Sequence, residues 1–150
     1  MTHTFKISRL VEFSDTDMAG IVHFTAFFRY MEQAEHAFYR SLDMSVIMHE
    51  GEKQISFPRV HASCDYTKPL RFEDEIEIEL IVREKKAKVL SYEFVFRKTA
   101  SRGVPAPMVA VEVARGKLIV VCVTKDHASG TMKSIEIPAL IAERIGQAPL

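Results

Sequence analysis

Two carboxylates one residue apart, Asp15 and Asp17, stand in Ser14-Asp15-Thr16-Asp17-Met18-Ala19-Gly20-Ile21-Val22. Before them lies a run that alternates like a strand; after them lies one with helical spacing. Three roles suit acids in such a place. A carboxylate ahead of a helix can cap its open N–H groups. Paired carboxylates can hold a cation, but no calcium-loop spacing follows and none of the six histidines forms an i, i+4 pair with another. A carboxylate ionised at neutral pH can also attack a carbonyl, or take a proton from a water that attacks. The oxyanion that then develops needs preorganised donors. A helix N-terminus supplies unpaired N–H groups and a favourable dipole. Gly20 permits a tight turn and lets a substrate approach the backbone.

Rival constellations are missing. The chain has no Gly-x-Ser-x-Gly elbow, no phosphate-binding glycine loop and no Cys-x-x-Cys pair, which removes the serine-hydrolase, nucleotide-enzyme and zinc-module readings. Phe24, Phe27 and Phe28 read as core residues, with an acyl pocket as the alternative use. Glu32 and Glu35 read as helix-surface residues, or as anchors for a water if the helix is enclosed. Lys85, Lys86 and Lys88 fall in a hairpin connection, where such a cluster serves either as plain surface or as a clamp for phosphates.

Positioning these residues takes a definable set of elements. Phe5, Ile7, Val11 and Phe13 form an imperfect alternation, a first strand. Phe24 to Leu42 carries Phe24, Phe27, Met31, Ala34 and Phe38 at three- and four-residue steps, predicting a helix about 28 Å long. Phe28 and Tyr30 widen its apolar arc, so more than one side is enclosed. Strands follow: Ile55 to Tyr66 with a phase change at Pro58, Ile76 to Val82, Leu90 to Phe96, and Met108 to Thr124 with a bend or bulge at Gly116. Pro138 is placed to start a short C-terminal helix. This order implies an α+β protein: an antiparallel sheet of about five strands curled around one long helix. Sheet edges left open are commonly paired between copies.

The bulk numbers suit one domain, residues 1–150. Of its 150 residues 47% are hydrophobic and 27% charged, ordinary for a chain with a proper core. Twenty basic residues balance twenty acidic ones, so no electrostatic case exists for generic nucleic-acid or membrane binding. Cys64 and Cys122 sit in strand-like runs and read as free thiols. No run approaches a membrane span and the N-terminus lacks a signal-like apolar core, so the expected location is cytoplasmic.

The run from Val11 to Val22, with Glu32 beyond it, resembles the hotdog-fold acyl-CoA thioesterases of the 4-hydroxybenzoyl-CoA thioesterase type. The resemblance continues through Phe57-Pro58, Tyr66 to Asp74, Val121 to Val123 and Ile137-Pro138, covering most of the chain in order. It implies hydrolysis of a coenzyme A thioester with Asp17 as the catalytic carboxylate. It also implies carbonyl polarisation by backbone N–H groups around His23 and Phe24, and a substrate site of Gly20, Ile21, Val22, His23, Phe24 and Phe27. Lys85, Lys86 and Lys88 would meet the coenzyme A phosphates. No cofactor and no metal are implied, and a homodimer or homotetramer is expected. In one branch of this family a histidine and a tyrosine assist the acid; their positions are Phe24 and Phe13 here. Alternatives on the same fold are a hydratase or dehydratase, whose Asp-to-His spacing this chain misses by one residue, and a non-catalytic acyl-thioester binding protein.

Overall fold

A computed structural model describes residues 1–105 and 109–150. The chain runs β1 (Thr4–Leu10), a 3-10 turn (Phe13–Asp15), α1 (Ala26–Ser41), β2 (Met48–Glu50), β3 (Lys53–Ser56), β4 (Arg59–Tyr66), β5 (Glu75–Lys85), β6 (Val89–Ala100), β7 (Val111–Val121), β8 (Val123–Lys125), β9 (Met132–Ser134) and α2 (Ala139–Ala142). The five long strands form one antiparallel sheet in the order β1-β5-β6-β7-β4. The four short ones form a second sheet, β2-β3-β8-β9.

The main sheet curls around α1 because both present apolar stripes of matching period. Ile76, Ile78, Leu80 and Val82 of β5 and Leu90, Tyr92, Phe94 and Phe96 of β6 are buried beneath Phe27, Tyr30, Met31, Ala34 and Phe38 of α1. On the outer face Glu77 and Glu79 pair with Lys6 and Arg97 across neighbouring strands. Tyr39 and Glu35 are also buried, so the helix is enclosed on a second side, as its wide apolar arc predicts.

Four boundaries differ from expectation. Strand β1 stops at Leu10, and Phe13 belongs to the 3-10 turn. The helix starts at Ala26, because His23 to Thr25 make a tight entry in which Ala26 N–H donates to His23 O at 2.9 Å. The phase change at Pro58 separates two strands of different sheets, β3 and β4. The last long run breaks at Cys122 and not at Gly116, while Met108 lies outside the described residues. Gly116 stays inside β7 because Met31 of α1 occupies its side-chain space: a Cβ there would lie 2.4 Å from the Met31 methyl. Close packing, not a bend, accounts for that glycine.

Candidate active site

The acid-rich segment is a miniature hairpin. Asp15 O accepts His23 N–H at 2.8 Å, Thr16 and Val22 form an antiparallel bridge, and Asp17 N–H donates to Ile21 O at 3.0 Å. Gly20 N–H closes the turn on Asp17 O at 2.9 Å with a left-handed φ of 78°. This is the three-residue hairpin loop that needs a residue without Cβ strain at its last position. Asp17 opens the turn and its Oδ1 accepts Ala19 N–H at 2.8 Å, which pins the carboxylate by the usual Asx mechanism. Among the described residues Oδ2 has no protein donor. Asp17 does not cap α1, whose N-cap is Thr25.

Asp15 does a different job. Its Oδ2 accepts Glu12 N–H and its Oδ1 accepts Arg29 Nη2, each at 3.0 Å. It thereby ties the 3-10 turn and α1 to the base of the hairpin. From the other side the segment after β4 backs the turn: Val22 N–H donates to Leu70 O at 2.8 Å, and the Phe13 and Phe72 rings meet edge to face. Two stretches some fifty residues apart in sequence are one structural unit.

The hairpin delivers the chain to the mouth of α1. His23 Nδ1 accepts Thr25 N–H at 3.3 Å and lies 2.7 Å from Thr25 Oγ1, which places the ring proton of neutral His23 on Nε2. The His23 amide is taken by Asp15 O, so it is not a free donor; this corrects the expectation that both His23 and Phe24 offer N–H groups. Phe24 N–H has no acceptor among the described residues. The next carbonyl, Phe24 O, accepts Tyr66 Oη–H at 2.8 Å, and partial burial and Cys64 raise the Tyr66 pKa to about 12. Tyr66 was legible as the end of a strand and as part of a resembling stretch, and nothing in its spacing pointed to the helix mouth.

The hairpin therefore sets Asp17 and Gly20 on its turn and carries His23 and Phe24 to the start of α1. Ile21 is half-buried, and Val22 and Phe27 are buried. Phe27 packs edge to face on Tyr66 and Phe96 at 5.0 and 5.2 Å, and serves as floor. Leu10, Phe13, Met18, Phe24 and Tyr66 leave large apolar surface exposed around the turn, Phe24 at 60%.

The lysines are elsewhere. Leu10 pairs with Glu75 at the acid-turn end of the sheet, and β5 then runs eleven residues to Lys85, about 35 Å away. Lys85 Nζ donates to Ala142 O at 2.6 Å and Ile145 O at 2.7 Å, so it secures the end of α2 and is not presented to a phosphate. Lys86 and Lys88 are exposed, the former 3.5 Å from Glu84. Two surface depressions, of about 1270 Å³ over the small sheet and about 510 Å³ on the outer face of the main sheet, do not reach Asp17.

The sequence profile of the thioesterase-like superfamily matches residues 11–145. A 1,4-dihydroxy-2-naphthoyl-CoA hydrolase of Trichodesmium erythraeum is 32% identical over 78 residues, which span 52% of this chain and 56% of that relative. The match thus spans little more than half the length of that relative. A putative esterase of Aquifex aeolicus is 30% identical over 117 residues, 77% of this chain and 89% of the relative. The 4-hydroxybenzoyl-CoA thioesterase of Pseudomonas sp. strain CBS-3 superposes with a TM-score of 0.77 at 20% identity, covering 95% of this chain and 99% of that one, which shows the shared fold.

Proposed function

The chain belongs to the thioesterase-like superfamily and has the hotdog fold, and from that premise we propose that it hydrolyses a coenzyme A thioester with Asp17 as nucleophile or general base. One observation carries the reading: a carboxylate held through Oδ1, with Oδ2 open, on the hairpin that leads into the helix by way of the uncommitted Phe24 N–H. In this reading the thioester carbonyl accepts Phe24 N–H. The carbonyl of that peptide, His23 O, accepts Ala26 N–H, and Tyr66 holds the next peptide through Phe24 O, so the donor stays oriented along the α1 dipole. Asp17 Oδ2 then attacks the carbonyl carbon to give a mixed anhydride that water opens, or it deprotonates an attacking water. In either route the carbonyl π electrons move to oxygen and return as the coenzyme A thiolate leaves. A thiolate is a good leaving group, so no strong general acid is required.

Two copies complete the cleft in this proposal. Strand β4 pairs only with β7 among the described residues, and it exposes Val60 and Tyr66 at its free edge. Antiparallel pairing of two β4 edges about a two-fold axis sets Tyr66 of one copy beside the partner's Arg59. The β5–β6 connection lies at the Arg59 end of the sheet, so the partner's Lys86 and the partner's Lys88 come round to the Asp17 end, where coenzyme A phosphates would lie. The same pairing covers exposed apolar surface at Tyr66 and its neighbours. A dimer, or a tetramer built from it, acting in the cytoplasm is the expected form.

Thiol release should be measured over short-chain, long-chain and hydroxylated aromatic acyl-CoA substrates, the last suggested by the name of the Trichodesmium relative. Release from at least one class, lost in Asp17→Asn, supports the reading. No release from any class by folded protein removes it, and a stable monomer at micromolar concentration in sedimentation removes the shared cleft.

A further inference from the structure

Tyr30 is a buried polar residue that the proposed chemistry leaves unused. It lies on the sheet-facing side of α1, 3% exposed, against the rings of Phe27 and Phe96. Its hydroxyl is buried and makes no hydrogen bond of ordinary geometry with any described residue. Burial raises its pKa far above the usual tyrosine value, and the Asp15 carboxylate, the strongest charged influence on it, pushes the same way. The hydroxyl thus keeps its proton, with the Asp15 carboxylate acting on it.

Asp15 is a fitting acceptor. Its side chain is 12% exposed, and its two oxygens take one donor each, Glu12 N–H and Arg29 Nη2. A carboxylate has about four lone-pair sites, so room remains for a phenol. Buried hydroxyls rarely go without a partner, and Asp15 is the carboxylate that acts most strongly on this one. The backbone of Asp15 matters as much as its side chain. The Asp15 O to His23 N–H bond is the base rung of the hairpin: Asp17 stands two residues beyond one end of that rung, and Phe24 N–H one residue beyond the other. Tilting the rung changes the spacing between the carboxylate and the amide.

We propose that Tyr30 is a positioning residue: by donating its hydroxyl to Asp15 it sets the base rung of the hairpin, and through it the placement of Asp17 against Phe24 N–H. The proposal rests on the reading of Asp17 and Phe24 as the reacting pair, and its test separates the two. Tyr30→Phe removes one oxygen and keeps the ring. Its kcat should fall about tenfold or more, since misplacement by about 1 Å can cost on the order of 100-fold, while KM changes less than about twofold. A merely structural tyrosine would lower the melting temperature and leave kcat of the folded fraction alone. The double variant Tyr30→Phe, Asp17→Asn should be no slower than Asp17→Asn, because Tyr30 acts only through Asp17; independent, multiplying losses would overturn the proposal. Normal turnover in Asp17→Asn would sink the parent reading, whereas a damaging Asp17→Asn beside an unchanged Tyr30→Phe would sink this one alone. The wild-type protein offers a second test that needs no Tyr30 variant. By NMR the Tyr30 hydroxyl proton should be protected from exchange and should shift in Asp15→Asn; a freely exchanging hydroxyl overturns the hydrogen bond.

Discussion

Replacing Asp17 by Asn separates a turn residue from a reacting one, because the structure assigns its two oxygens different work. Oδ1 accepts Ala19 N–H at 2.8 Å, and an asparagine Oδ1 accepts the same bond. What is lost there is the charge-assisted part of one hydrogen bond, about 1 kcal/mol, from the difference between charged and neutral acceptors. In a chain of this length that amounts to about 2–4 °C in Tm. Oδ2, which has no protein donor, becomes an amide nitrogen that neither attacks a carbonyl well nor takes a proton. General-base contributions of about 10² to 10⁴ correspond to roughly 2.7–5.4 kcal/mol in the barrier, at about 1.36 kcal/mol per tenfold. The chemical loss therefore exceeds the structural one severalfold. Release of coenzyme A thiol, followed with a chromogenic thiol reagent, should fall at least about 100-fold in kcat. Calorimetric titration of the slow variant should still show the thioester binding. Asp15→Asn should cost far less than Asp17→Asn. Turnover within about threefold of wild type, with Tm unchanged, would return the hairpin to a purely structural role.

Lys85 and its neighbours should part company. Lys85→Ala strips two carbonyls at the end of α2 of a charged donor, at about 1.5–3 kcal/mol for such a bond; thermal melting should show a lower Tm with KM unchanged. Lys86→Ala with Lys88→Ala should instead raise KM at low salt, as loss of uniform binding does, with Tm unmoved. Gly116→Ala drives a methyl into Met31 and should destabilise by about 1–3 kcal/mol; adding Met31→Ala should recover part of that, since the two side chains would compete for one space, and additive losses in chemical denaturation would contradict the packing account. Glu35 is 0% exposed, and burial raises its pKa even though Arg59 Nη2 stands 2.6 Å away. A carboxyl with a raised folded pKa favours the fold fully below its unfolded pKa, near 4.5, and loses that contribution as pH rises through the raised value. The Tm of wild type relative to Glu35→Gln should accordingly fall as pH increases from about 4 through that window; a pH-independent difference would refute it.

The sequence by itself determined the elements whose signal is local. Alternation in Ile76-Glu77-Ile78-Glu79-Leu80 and three- to four-residue steps from Phe27 to Phe38 specify which face each strand and the helix bury, because side-chain direction follows backbone period. Asp17 to Gly20 specified a turn for the same reason: the conformations it needs are set within four residues. Tertiary structure alone decided the rest. Gly116 reads as a bend until Met31, 85 positions earlier, is seen filling its side-chain space. The four short strands of the second sheet are too brief to show a period, and they exist through pairing between residues 48–56 and 123–134. Lys85 reads like Lys86 and Lys88, yet the end of α2 claims it. Which amide at the helix mouth stays open was also beyond the sequence: His23 and Phe24 are adjacent, and only the hairpin's closing bond to Asp15 takes one and leaves the other. The burial of Tyr30 depends likewise on how α1 lies against the main sheet, where its ring meets Phe96. Local steric preference is written in neighbouring residues; the occupancy of a donor is settled by whatever the fold brings to it.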